Sequence, residues 1–472
     1  MPKQVIIVGA GPAGLFAADK LAGTPGLEVI LIEQGKRVEE RRREIDFDRA
    51  CGVAGIGAYS DGKHIFDTVF GSRQIGTNLT ELGVDDKEYL IKSKQRFAFF
   101  YVPIFGKMPE ITPERESRAR EIATIAGKND MDYILAHDYH IGTDRLPELM
   151  KSIQDSLEKR GVQIRTNEKV TSFRHGTVYT QDTRTRVEGS YLADVILIAP
   201  GRDGSIWLEK LLKAKNIEHA SRPIDVGFRI ETDAAVLRHL TDIERDVKLE
   251  FRHPNGDMIR TFCVCPYGQV SKEGKNRKPE LGGLDFCLVN GASSSVHLSN
   301  NTNFALLVRM PLRNEANNAN WGLKIAEAYR EAGVDKIILQ RMGDLIQERS
   351  SKPGKVHEWR IKPTLPESDY MVGDVRIGMP ARIMDSIRYG LRKLSVPGLM
   401  EGLNQDSTLI YGPEIKMHGI KIATDSYLQS TSMPGLYFAG DGTGFSRGIG
   451  GAMASGIRAA EGILKQLGYD SK

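Results

Sequence analysis

Val5-Ile6-Ile7-Val8 runs straight into Gly9-Ala10-Gly11-Pro12-Ala13-Gly14 and then into the helix-like stretch Leu15 to Leu21. A continuous β-branched run suits a strand buried on both faces of a parallel sheet. A G-x-G-x-x-G turn between such a strand and a helix is the arrangement that lets a chain approach a dinucleotide pyrophosphate. Gly9 permits the tight turn, Gly11 the close approach, and Gly14 the packing of helix on strand, while Pro12 and Ala13 open a helix whose N-terminus favours phosphate. The second strand, Glu28 to Ile32, ends at Glu33 and Gln34. Glu33 stands 19 residues after Gly14, where a carboxylate can bond a ribose 2′-hydroxyl and would repel a 2′-phosphate. Glycine turns also arise for packing alone, and a strand-end glutamate can simply be solvated; the strand, helix and acid together favour a dinucleotide.

Composition narrows the classes. With 472 residues, 40% hydrophobic content, 49 Gly and 20 Pro, the chain has ordinary globular usage and room for two or three domains at about 150 residues each. A formal charge of +4 is too small to suggest a nucleic-acid partner. Cys51, Cys263, Cys265 and Cys287 make neither a disulfide framework nor a zinc spacing, so a reducing, cytoplasmic location is expected. Val5 to Ala18 is broken by Gly and Pro and reads as a strand and helix rather than a leader. No apolar run reaches the ~20 residues of a membrane span.

Far along the chain, Thr424 to Asp441 reads as a turn, a short apolar strand and Gly440-Asp441. This segment resembles the closing motif of the glutathione-reductase-like flavoprotein superfamily, which implies FAD as cofactor and Asp441 as a partner of its ribityl chain. Gly442 to Gly451 then leads into a helix from Ala452 to Lys465 rich in small residues. Gly450, Gly451 and Ala452 stand at its start, where a helix N-terminus stabilises negative charge on a reduced flavin. Leu192 to Gly201, an apolar strand ending in Ala199-Pro200-Gly201, resembles the superfamily's middle motif. An amphipathic helix from Thr143, the strand Val162 to Arg165 and a polar meander around 177–188 precede it. The resemblance adds Val170 to the cofactor contacts.

Several further segments resemble a narrower family, the uncharacterised FAD-dependent dehydrogenases of bacteria and archaea. They include Gly35 to Arg41, Gly55-Ile56-Gly57-Ala58-Tyr59-Ser60-Asp61-Gly62-Lys63, His140 to Asp144, Arg222 to Gly227, Thr261-Phe262-Cys263-Val264-Cys265-Pro266, Val289-Asn290-Gly291 and Gln340 to Asp344. Together they run over nearly the whole chain. This sequence departs from the family in a shorter glycine-rich segment before Ser60, and in Gly440-Asp441 where members often carry Gly-Glu.

Two catalytic candidates follow. Lys63 lies in a loop that in this superfamily passes the flavin ring, where it would stabilise a reduced flavin or orient an anionic substrate; an exposed turn is the alternative. Arg447, just before the last glycine turn, either adds a cation near the flavin or ties a surface loop. Cys263 and Cys265, two apart on a strand, read either as a redox dithiol or as buried apolar thiols. Cys51 has no nearby cysteine partner. His137, His140 and Asp138 lack further ligands, and no metal is expected. Arg41 or Arg42 can reach an adenosine or lie on a solvated helix face. Gly201-Arg202-Asp203-Gly204 resembles the Asp-Gly motif of flavin hydroxylases.

The expected fold is α/β: a discontinuous, Rossmann-like FAD-binding domain of the glutathione-reductase type (1–65, 136–206 and 411–472), with a cap segment (66–135) and an inserted α+β substrate domain (207–410). The expected function is that of an FAD-dependent oxidoreductase passing a hydride or electron pair between a small-molecule substrate and an acceptor. No second G-x-G-x-x-G follows a strand, so NADH or NADPH would act as an external reductant, or a redox protein would supply electrons. A monooxygenase and a non-catalytic FAD-bearing interaction protein are the alternatives.

Overall fold

In the computed structural model the β-branched run at the N-terminus becomes the central strand of a five-stranded sheet, because both of its faces are covered. Val5, Ile6 and Ile7 have no exposed surface. The structure describes residues 2–469 apart from 43–44, 61, 71–76, 175, 203, 274–286, 295–296, 310–317, 334 and 417–419. Asp61, Asp203, and Arg43 and Glu44 beside Arg41 and Arg42 therefore lie outside the described residues, as does the side chain of His137.

The first sheet is parallel throughout, in the order Leu436–Phe438, Val195–Ile198, Lys3–Val8, Leu27–Ile32 and Gln163–Arg165. From Lys3–Val8 the chain steps outward in one direction to Leu27–Ile32, and later in the other to Val195–Ile198. A crevice opens at the carboxyl ends of strands where the order reverses in this way. The helix Pro12–Leu21 covers one face and packs along the C-terminal helix Ile449–Gln466. Their approach is set by Gly456, where a Cβ would lie 2.1 Å from the carbonyl oxygen of Ala13. The meander is a three-stranded antiparallel sheet of Glu168–Arg174, Thr177–Asp182 and Glu188–Leu192. The helix Leu146–Lys159 buries Leu146, Leu149, Met150, Ile153 and Leu157, the stripe its spacing predicts.

The second sheet has nine strands, in the order Tyr370–Val372, Ile337–Arg341, Leu409–Lys416, Asp225–Asp233, Asn301–Arg309, Met258–Cys265, Lys248–Arg252, Asp132–His140 and Lys63–Phe70. The registers sort its residues by face, because alternate side chains point to opposite sides. Val226, Phe228, Ile230, Phe304, Leu306, Val308 and Ile259 face a core that includes Ile383, Ile387 and Leu391 of the helix Ala381–Leu394. Asp225, Arg229, Asn303, Arg309, Arg260, Phe262, Glu414 and Lys416 share the opposite face. That polar face is also buried over most of its area, and Asn290 and Gly291 of the hairpin strand Leu288–Ala292 touch Lys416 and Arg229.

Between the sheets' strands, the aromatic run Phe97 to Tyr101 falls within one helix, Asp86–Phe105. Phe97 and Phe100 are buried in the first core, and Arg96 fixes the helix by gripping Asp19 with Nε and Nη2 at 2.5 and 2.8 Å. No helix among the described residues is long and apolar enough to cross a membrane.

Candidate active site

A cleft, about 790 Å³ of empty space counted out into open solvent, lies at the switch point of the first sheet. Gly9, Gly11, Pro12 and Ala13 line it, together with Glu33 and Gln34, Ala199, Pro200 and Gly201, Gly440 and Asp441, and Ala452. The turn is shaped by Gly9, whose φ of +98° and carbonyl neighbours leave no space for a side chain: a Cβ would sit 2.3 Å from the Ala199 oxygen. Gly14 faces away from the cleft and lets the helix rest on the turn, a Cβ there falling 2.0 Å from the Gly9 oxygen.

Glu33 does more than its spacing suggests. Its Oε1 accepts from the backbone N–H groups of Gly35 and Gly52, each at 2.9 Å, and its Oε2 accepts from Ala10 at 3.0 Å. The carboxylate thus ties three loops around the cleft, and Oε2 keeps a second acceptor direction. Asp441, at the other end, accepts from Ser446 Oγ at 2.7 Å and from the Gly448 N–H at 3.2 Å, with Arg202 Nε at 3.7 Å. Burial pushes its carboxyl above the usual range, against the pull of Arg202 and these donors.

This donor set fits FAD. A glycine-lined turn opens a helix with no acidic residue in its first turn, and a carboxylate with acceptor capacity stands at either end of the cleft. Bound here, FAD would supply two-electron chemistry, and the chain its position and electrostatics.

Other expected contacts fall elsewhere. Arg41 does not reach the cleft: its guanidinium donates to the carbonyls of Asp48 (2.7 Å), Val53 (2.6 Å) and Gly55 (2.8 Å), clamping the loop instead. Burial lowers its pKa from the usual guanidinium value. Arg42 is exposed. Val170 packs in the first core, outside the lining. Gly450 and Gly451 sit behind the lining, Gly450 because its Cα passes close to the Ile65 carbonyl oxygen, 2.2 Å from where a Cβ would be. The lining also includes Cys51, Gly55, Ile56, Gly57, Ser60, Arg202, Gly448 and Ile449. Gly55 to Ser60 stood out in the sequence only as a resemblance, since a short 3-10 turn has no periodic signature. Gln34 donates to Cys51 Sγ at 3.1 Å.

The two catalytic candidates lie off the cleft. Lys63 is not an exposed loop residue but begins a strand, with its side chain 6% exposed. Its Nζ donates to the Val264 carbonyl, lies 3.5 Å from Asp246 Oδ1 and 3.9 Å from Cys263 Sγ. Arg447 Nη1 stands 4.0 Å from Asp225 Oδ2. Asp225 in turn accepts from Arg260 Nη2 at 2.7 Å and from Arg309 Nε and Nη2 at 2.7 and 2.9 Å. Burial alone would raise the Asp225 carboxyl, but the guanidinium groups of Arg260 and Arg309 hold it well below the usual range. Three arginines thus surround one aspartate, and the Nε of Arg260 is buried without a hydrogen-bond partner among the described residues. Among the described residues no group of three or more His, Cys, Asp or Glu gathers as metal ligands.

Residues 218–417 match the family described as "FAD-dependent protein, C-terminal domain-like", and residues 421–464 match "Flavin containing amine oxidoreductase". The chain is an FAD-dependent oxidoreductase. The flavin-family match lies on the segment that carries Asp441 and the C-terminal helix, so the matched sequence and the cleft geometry coincide. The chain is 23% identical over 501 residues to an uncharacterised protein of Clostridium beijerinckii, covering 98% of this chain and 81% of that one. It is 28% identical over 143 residues to digeranylgeranylglycerophospholipid reductase 2 of Methanosphaera stadtmanae, covering 30% of this chain and 36% of that protein. Among solved structures, glycine oxidase from Bacillus cereus overlays with a TM-score of 0.40 at 12% identity, covering 98% of this chain and 95% of that chain.

Proposed function

We propose that this oxidoreductase acts on a small anionic substrate, bound between the flavin end of the cleft and the polar face of the second sheet. The observation that carries the reading is the grouping of Arg260, Arg309 and Arg447 around Asp225: three guanidinium groups gather where Asp225 and Glu250, the cross-strand neighbour of Arg260, are the carboxylates, and Lys416 is already paired with Glu414 at 2.8 Å. Guanidinium groups suit a planar carboxylate or a phosphate, and the buried Nε of Arg260 has no hydrogen-bond partner among the described residues. Arg447 directly precedes Gly448, which lines the cleft, so an anion held there would border the cofactor.

In this reading the Gly9 to Gly14 turn and the following helix hold the pyrophosphate, Glu33 Oε2 accepts from a ribose hydroxyl, and Asp441 bonds the ribityl chain. The arrangement is that of the glutathione-reductase-like superfamily, with the FAD domain made of 1–65, 136–206 and 411–472, a cap over 66–135 and a substrate domain over 207–410. Arg447 and Arg260 orient the substrate anion and exclude water from it. Electrons come from NADH or NADPH as an external reductant or from a redox protein, in a reducing, cytoplasmic setting.

The test is anaerobic bleaching of the flavin absorbance by a panel of carboxylates, phosphates and their neutral esters or amides, alongside NADH and NADPH. Anionic compounds should either bleach the flavin of the wild type or restore its absorbance after reduction by NADH or NADPH, and Arg447→Met should raise their KM. Equal bleaching by neutral counterparts would overturn the anionic assignment. Oxygen uptake with a hydroxylated product would replace the dehydrogenase reading by a monooxygenase.

A further inference from the structure

The strand Met258–Cys265 carries an irregularity that the flavin cleft does not explain. Opposite Asn301–Arg309 the register runs Phe262 to Ala305 and then Cys265 to Asn303, so one residue is extra on the cysteine side. Cys263 occupies that bulge with φ +50°, a left-handed conformation that a residue with a side chain seldom takes. Residues two apart on a regular strand are about 6.7 Å apart, too far for their sulfurs to meet without distortion. The bulge brings Cys263 Sγ and Cys265 Sγ to 3.9 Å.

The surroundings favour a thiolate on one sulfur. Lys63 Nζ stands 3.9 Å from Cys263 Sγ, and the fully buried Arg229 donates Nη1 to the Cys263 carbonyl at 3.2 Å. Of the nearby carboxylates, Asp246 is shared among the Val264 N–H at 2.8 Å, Lys248 at 3.1 Å and Lys63 at 3.5 Å, and Glu414 takes Arg229 Nε at 2.8 Å. Cys263 is partly exposed while Cys265 is buried, the division of an attacking and a resolving sulfur. Both lie on the strand that supplies Arg260 and Phe262 to the polar face, three and five residues beyond the arginine bound to Asp225.

We infer that Cys263 and Cys265 are a redox pair that exchanges two electrons with the enzyme's FAD. In the oxidising direction two S–H bonds break, one S–S bond forms, and two electrons and two protons pass to FAD, giving its two-electron-reduced form. The reverse step returns both thiols. A disulfide closing so small a ring is strained and therefore readily reduced, which suits a pair that cycles rather than one that staples.

The experiment has two independent readouts. Apoprotein treated with a mild disulfide oxidant, then alkylated and analysed by intact mass, should lose two hydrogens and two alkylation sites in the peptide holding both cysteines. Lys63→Met should slow alkylation of Cys263 about tenfold at neutral pH, the effect of a one-unit rise in thiol pKa. Oxidised holoenzyme titrated anaerobically with dithionite should then take up four electrons per flavin, whereas Cys263→Ser and Cys265→Ser should each take up two. Wild-type protein that keeps both thiols after oxidation, or takes up only two electrons per flavin, overturns the inference. The apoprotein arm needs no flavin, so its result is separable from any failure of the substrate reading, and the two serine variants check each other should one fold poorly.

Discussion

Arg447 Nη1 lies 4.0 Å from Asp225 Oδ2, joining the loop that enters the C-terminal helix to the first residue of a central strand in the other sheet. The contact crosses from a cofactor-lining segment to the polar face, and it makes Asp225 the counter-charge for groups from three parts of the chain.

Asp225→Asn should therefore destabilise the protein by about 3–5 kcal/mol, the usual cost of leaving buried partners of an ion pair uncompensated, read by urea unfolding. The sign of the pH effect follows from the lowered folded pKa. The stabilisation is fully present above the unfolded carboxyl's pKa of about 3.9 and is lost as pH falls through the lower folded value. Wild type should lose stability over that acid window more steeply than Asp225→Asn; parallel curves would contradict the assignment.

Glu244 should behave in the opposite sense. It is fully buried at 1% exposure, its Oε1 accepts from the Ala136 N–H at 3.1 Å, and Lys248 at 3.4 Å is shared with Asp246, which is nearer at 3.1 Å. Burial pushes its carboxyl up to about 7. The native state then holds a proton that the unfolded chain has released, so stability falls as pH rises from about 4.5 to about 7. Glu244→Gln, which keeps the Oε1 acceptor, should remove that slope and stabilise the protein by on the order of 2–3 kcal/mol at pH 8. Thermal unfolding across this range measures it.

Gly456→Ala should lower flavin content as well as stability. The added methyl would meet the Ala13 oxygen at 2.1 Å, and moving the helices apart displaces the turn that lines the cleft. A cost of about 1–3 kcal/mol is typical of overpacking. A control at Gly127, where a Cβ meets nothing within 4 Å, should leave both quantities unchanged or improved.

Replacing Asp441 by Ala should weaken FAD retention, seen as lower flavin-to-protein ratio after gel filtration. Glu33→Gln should weaken it too, and also lower the melting temperature, because an amide N–H2 would face backbone N–H donors now bonded to a carboxylate. Unaltered occupancy in Asp441→Ala would show that this carboxylate does not hold the cofactor.

The first sheet was legible because its signals are local. Val5 to Gly14 carries strand, turn and helix within ten residues, and the short strand before Gly440-Asp441 is bounded by turns on both sides. The polar face was not legible: Asp225, Arg260, Arg309 and Arg447 are scattered over more than 200 residues and meet only through strand registers. Lys63 was misjudged for the same reason, since its surroundings come from Asp246, Cys263 and Val264. Arg41 looked like a ligand contact because its charge is visible in sequence, whereas the three carbonyls that occupy it are not.

The pairing of Leu436–Phe438 with Val195–Ile198 has a consequence for biogenesis. The edge strand and the segment bearing Asp441 emerge from the ribosome about 240 residues after the strand they join. The nascent chain can form its first βαβ unit early, yet the cleft has only one wall until the last tenth of the protein is made. Loading of the flavin is thus a late event, and until then the apolar edge of Val195–Ile198 is a surface that a chaperone has reason to shield.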